Sequence, residues 1–219
     1  GADRLDAGLA FGSRETFGRV AATATYSYRT GWRSRTAATV QLAIANIIRV
    51  NEKQLHGAVP GSLGTALSDA GWHRAVIGND DASLAPLLEP DRSSPNLGGA
   101  GGASTSRSTA LNTPIGFSRP LALSLMDERG LVPGGDVTRD LVRRDERSPF
   151  GLHSSAESYL RAFRRAWRHR SVVVVELSDL ERADEYAASE KVGIALLERR
   201  RLLLEGDRLL ASLLRSVDR

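Results

Sequence analysis

The sequence predicts an α/β fold: a mainly parallel central sheet flanked by helices. Three observations lead there. Within residues 59–81 an apolar helical pattern, a glycine turn and a short apolar run follow one another. Residues 172–177 (Val-Val-Val-Val-Glu-Leu) form a β-branched run that suits a central parallel strand covered on both faces. Helical patterns alternate with these strands and supply the covering layers. The chain has 219 residues, enough for one sizeable domain, and a single domain over 1–219 is expected.

Taken in order, residues 1–35 scatter Leu5, Leu9, Phe11 and Phe17 among Gly, Arg and Thr, and 23–28 reads as a short strand. From Thr36, the spacing of Val40, Ile44, Ile47 and Ile48 predicts a helix running to about Asn51, with Arg49 and Lys53 near its negative end. Leu63, Leu67 and Ala70 recur at i, i+4 and i+7, so the next helix is expected to bury that face. Pro60 and Gly61 mark its start, and Gly71 its left-handed end. Residues 74–77 (Arg-Ala-Val-Ile) follow as a buried strand ending in Gly78-Asn79-Asp80-Asp81, a polar loop at the strand's C-terminal edge. In open α/β sheets that edge is where ligands bind.

Residues 90–120 are rich in Gly, Ser, Thr, Pro and Asn, with too few apolar side chains to offset ordering entropy. A flexible surface loop is expected at about 91–119. Residues 121–126 (Leu-Ala-Leu-Ser-Leu-Met) read as a second strand, closed by the turn 127–130. Ser154 and Glu157 have the spacing of a capping box, with Ser154 as N-cap. Leu160, Phe163 and Trp167 then form the core-facing stripe. After the 172–177 strand, residues 186–217 are strongly helical, with Gly193 and Gly206 as points of bending or division.

Hydrophobic content of 41% and 26% charged residues are ordinary for a globular protein. The formal charge is +4 with a pI near 9.9, but only Lys53 and Lys191 are lysines. This arginine usage, without aromatic-interleaved basic patches, argues against a nucleic-acid partner. With no cysteine, disulfides and thiolate metal sites are excluded. No apolar run approaches the roughly 20 residues that span a bilayer, and Gly1-Ala2-Asp3-Arg4 does not begin a signal peptide. Lacking an initiator Met, the chain is expected to be a piece of a longer protein.

Chemistry is expected where acidic groups end strands: Asn79, Asp80 and Asp81; Asp127; Ser178 and Asp179. If those strands are parallel neighbours, Asp80, Asp127 and Asp179 converge as candidate metal ligands and Asn79 joins them as a ligand-binding residue. Oxygen ligands of this kind favour Mg²⁺ or Mn²⁺, held weakly when no histidine assists. The alternative is that Asp simply ends strands and caps helices. His56, His73, His153 and His169 form no metal-binding spacing and are expected at the surface. No nucleophile elbow or phosphate loop is present.

Residues 63–78, and residues 172–179 with Arg182 and Asp184 behind them, resemble the helix–strand block and a later strand of the sulfatase and alkaline phosphatase superfamily. The last helix, with Asp207-Arg-Leu-Leu-Ala-Ser-Leu-Leu, is similar to the one preceding that superfamily's Asp-His-Gly strand. Residues 57–64 and 149–152 look closer still to an actinobacterial group of membrane-associated proteins that carry such a domain outside the cytoplasm. The resemblance covers about residues 36–218. It implies an alkaline phosphatase-like core, an extracytoplasmic place, and tethering to the membrane through other parts of the parent protein.

Departures from the family pattern bear on activity. Asn79 and Asp80–Asp81 stand where the family has Lys and His, and Ala183 stands where it has a ligating His. The family's first metal-binding Asp should fall before Gly1 and its Asp-His-Gly strand after Arg219. Ser13 and Thr16 are weak candidates for the nucleophile. The resemblance therefore implies a degenerate domain that binds a small ligand or an envelope protein without catalysis. The alternatives are a metal-dependent phosphatase, phosphodiesterase or sulfatase completed from outside this segment, and a cell-envelope scaffold.

Overall fold

The computed structural model describes residues 4–34, 36–54, 57–83, 116–193 and 196–217. The chain opens with α1 (Arg4–Ala7), β1 (Ala10–Gly12), β2 (Thr16–Phe17), β3 (Val20–Ala21) and α2 (Ala22–Thr30). Then come β4 (Thr39–Gln41), α3 (Ile44–Asn51), α4 (Ser62–Asp69) and β5 (His73–Ile77). After 116 follow α5 (Ala122–Leu125), β6 (Leu131–Val132), β7 (Gly134–Asp136), β8 (Val142–Arg144) and β9 (Leu152–Ser154). The last elements are α6 (Ala156–Ala166), β10 (Ser171–Val175), α7 (Asp179–Glu190) and α8 (Leu196–Val217).

The result is a mixed α/β architecture with several small sheets, of which one is parallel. In the parallel sheet β5 lies between β10 and β7, and Val76 sits opposite Val174 on one side and Gly135 on the other. A three-stranded antiparallel sheet, β1-β4-β6, stands apart from it. The α/β class is as expected, while the strands divide among several small sheets and do not form one central parallel sheet.

Two cores meet across the parallel sheet because side chains alternate along a strand. Val76 points into the core built by Leu9, Phe11, Tyr26, Val40 and Ile44, with Val172 and Val174 beside it. Ala75 and Ile77 point into the other, with Leu141, Tyr159, Phe163, Leu209 and Leu213. The strand covered on both faces is thus β5. β10 is a half-buried edge strand, contrary to the expectation for 172–177. Gly135 has φ +96, and a Cβ there would strike the Val76 carbonyl, so β7 approaches β5 through glycine.

Several local expectations are corrected. Residues 23–28 belong to helix α2, where Ala22 and Tyr26, four apart, are fully buried and Tyr26 donates its hydroxyl to the Arg129 carbonyl at 2.7 Å. The predicted helix from Thr36 is divided: β4 first, then α3. Gln41 explains the break, because its buried amide donates to the Ala7 carbonyl at 3.0 Å and accepts from the Ala43 N–H at 3.1 Å. Residues 121–126 form the short helix α5 instead of a strand.

In α4 the buried position is Gly64, whose Cβ would land on the Met126 carbonyl, with Leu67 partly covered beside it. Leu63 and Ala70 are exposed. The N-cap of α6 is Ser155, not Ser154, and Trp167 is largely outside the core while Tyr159, Ala162 and Ala166 are inside it. The 186–217 helix is two helices, with Gly193 in the break and Gly206 accommodated within α8. The expected loop at 91–119 lies outside the described residues up to 115. Beyond that point it is no surface loop, since Phe117 stacks on Phe11 with centroids 4.6 Å apart and Arg119 is buried.

Candidate functional site

The C-terminal edge of the parallel sheet gathers residues 78–81 after β5, residues 137 and 138 after β7, and residues 176–179 after β10. The parallel registers place these segments side by side. Asn79 is buried and ties two of them together: its amide nitrogen donates to the carbonyls of Val137 (2.9 Å) and Thr138 (3.2 Å). Its oxygen accepts from the Asp81 N–H at 3.0 Å, closing a tight Asx turn.

Two arginines dominate this edge. Arg119 is 1% exposed and grips the fully buried Asp81 with Nε at 3.3 Å and Nη2 at 2.9 Å. Its other side binds Glu15, and its plane lies 4.4 Å from the Phe117 ring centroid. Asp81 also accepts from the Ser118 N–H at 3.1 Å and lies 3.5 Å from Arg139. Arg182 is fully buried in the first turns of α7. It donates to the Asn79 carbonyl at 2.7 Å, to Ser154 Oγ at 2.9 Å and to Asp179 Oδ1 at 2.6 Å. Asp179 accepts the Ser154 N–H as well, at 3.0 Å. Ser154 ends β9 and is held by Arg182, so the N-cap position of α6 falls to Ser155.

Asp80 differs from its neighbours. It is 4% exposed, and its Oδ1 meets no hydrogen-bond donor among the described residues. Burial, helped by the nearby Glu176 and opposed by Arg182, pushes its carboxyl up to about 7. Glu176 follows the last residue of β10; burial raises its carboxyl too, while Ser178 stabilises the charged form. This pair of acids holds protons more tightly than ordinary carboxylates do.

Of the residues expected to converge, Asn79, Asp80 and Asp179 do share the edge. Asp127 does not. It lies at the opposite end of β5, 3.6 Å from Arg74, with Oδ1 accepting the N–H groups of Arg129 and Leu131 at 3.0 Å each. There it borders an open cavity of about 1230 Å³ with Trp32, Asn51, Val59, Asp69 and Arg129. The misplacement follows from reading 121–126 as a parallel strand when it is a short helix. Among the described residues, no group of three or more His, Asp or Glu side chains is disposed to hold a metal ion.

His153, expected at the surface, is 7% exposed. Its Nδ1 lies 3.5 Å from Asp179 and its Nε2 3.2 Å from Glu205. His73 and His169 are exposed as expected, and His56 lies outside the described residues. Ala183 is completely buried. The edge residues that sequence reasoning missed are Glu15, Arg119 and Arg182. Only Arg182 left a signal, its i+3 spacing from Asp179 on a helix. No protein-family model, curated protein or solved structure matches this chain. Among the described residues, no helix is long and apolar enough to cross a membrane.

Proposed function

We propose that this chain is a non-catalytic binding domain, a degenerate alkaline phosphatase-like domain whose strand-edge carboxylates hold arginines in place of metal. The observation that carries this reading is the capture of Asp81 and Asp179 by buried guanidinium groups of Arg119 and Arg182. A divalent cation placed among these carboxylates meets a fixed positive charge. At about 4 Å, two unit charges repel by roughly 4 kcal/mol at an effective dielectric of 20, and a dication doubles that. Asp80, raised to about 7 by burial, offers less compensation than an ordinary carboxylate, because part of it still holds a proton near neutral pH.

Nor, among the described residues, does the edge pair a hydroxyl with a histidine base. Ser154 Oγ accepts from Arg182, and the Thr138 hydroxyl donates to Asp136 at 2.7 Å. Neither hydroxyl is joined to a histidine, the base most often found beside such nucleophiles, among the described residues. The resemblance of 63–78 and 172–179 to sulfatase-like strands supports the derivation from a hydrolase, and with it an extracytoplasmic location. Small-ligand binding is assigned to the cavity beside Asp127, which has the size, the aromatic wall of Trp32 and the mixed polar rim of a ligand site.

The reading is tested by assaying aryl phosphate, phosphodiester and sulfate ester hydrolysis with Mg²⁺, Mn²⁺ and Zn²⁺, for the wild type and for Asp179→Asn. No turnover is expected from either. Metal-dependent hydrolysis that disappears in the variant would establish the enzyme instead.

A further inference from the structure

We infer that α8 is a self-association surface, pairing antiparallel with the same helix of a second copy of this chain. Its inner face is accounted for by Leu202, Leu209 and Leu213, all buried in the core. Its outer face is as leucine-rich as the inner one. Leu196, Leu203 and Leu210 recur every seven residues and are 82%, 56% and 51% exposed; Leu214 extends the same stripe at 58%. A seven-residue repeat of exposed leucines is the pattern by which one helix seats against another. Alongside runs an apolar groove of about 680 Å³, bordered by Leu160, Leu177 and Leu180 and shared with Leu203 and Leu210, which can receive side chains from a partner.

Charge chooses the occupant. Arg200 and Asp207 lie on the same face, both exposed, and neither has an ion-pair partner among the described residues. Seven residues set them about 10.5 Å apart along the axis, too far to satisfy one another within the helix. An antiparallel pair with its twofold axis midway between residues 203 and 204 brings Arg200 of each copy level with Asp207 of the other. The same register puts Leu203 level with Leu204, both exposed. The face is therefore self-complementary in charge and in apolar content, as a twofold interface demands. A parallel pair would oppose Arg200 to itself and Asp207 to itself.

Sedimentation velocity of the full chain over a concentration series tests this, with circular dichroism confirming that each variant is folded. The wild type is expected to show a reversible monomer–dimer equilibrium below about 100 μM. Arg200→Glu and Asp207→Arg, each placing like charges opposite one another twice, should each weaken dimerisation by about tenfold or more. The double variant, with the pairs reversed, should return to within about threefold of the wild type. A wild type that stays monomeric, or a double variant no tighter than the singles, overturns the inference. A monomer that instead partitions onto phosphatidylcholine vesicles assigns the stripe to a lipid surface.

Discussion

Asp80 is buried beside Glu176 with one oxygen lacking a donor among the described residues, while Asp81, its neighbour in sequence, is bound by Arg119 and Ser118. The side chains of adjacent residues diverge here, and one faces a guanidinium while the other faces a second acid. The consequence is a pH dependence. With its folded-state value near 7 and an ordinary value of 3.8, Asp80 binds its proton more tightly in the folded chain. Its contribution to stability is fully present below about pH 4 and is lost as pH rises through 7. The loss is at most about 4 kcal/mol, by conversion of the shift. Glu176 acts in the same direction. Urea unfolding midpoints at pH 5 and pH 8 should show the wild type losing more stability over that interval than Asp80→Asn does. Parallel profiles for the two proteins would show that Asp80 is not the strained acid.

At the scale of elements, burial decides what a charge costs. Val76 in β5 is 0% exposed with strands on either side and a core on each face, whereas Val174 in β10 is half-buried at the edge. Val76→Asp should therefore abolish cooperative unfolding altogether, by leaving an unpaired carboxylate in the core. Val174→Asp should cost only about 1–3 kcal/mol and retain a cooperative melt, because the new side chain can reach water. Equal loss in the two variants would show that β10 is covered as fully as β5.

The elements that were legible in the sequence share one property: their local pattern agrees with their tertiary environment. β5 was bounded by a glycine turn and a polar loop, α6 carried a stripe that reached Phe163, and the 172–177 run became a parallel strand. The misread elements are those where single side chains override the pattern. Tyr26 makes a helix of Thr- and Tyr-rich residues by burying its ring, and Gln41 ends a strand that the spacing of Val40 and Ile44 disguised as helix. Leu63 followed the period of an amphipathic helix, yet Gly64 faces the protein, since close approach to Met126 matters there more than apolar area.

For the whole molecule, the strand edge was half legible. Asp80 and Asp179 could be placed together because β5 and β10 both looked like parallel strands. Asp127 could not be placed correctly without knowing that 121–126 is helical. Arg119 was hidden for a different reason: it follows a glycine- and serine-rich stretch that looks unfit for a core, and nothing local shows that its partners are Glu15, more than a hundred residues back, and Asp81. The family resemblance directs attention to metal ligands at this edge. The geometry instead supports an edge neutralised from within. Calorimetric titration of Mn²⁺ into the wild-type chain at pH 7.5 tests that claim most directly. The expected result is no saturable binding tighter than about 1 mM; a one-to-one site of micromolar affinity would contradict it.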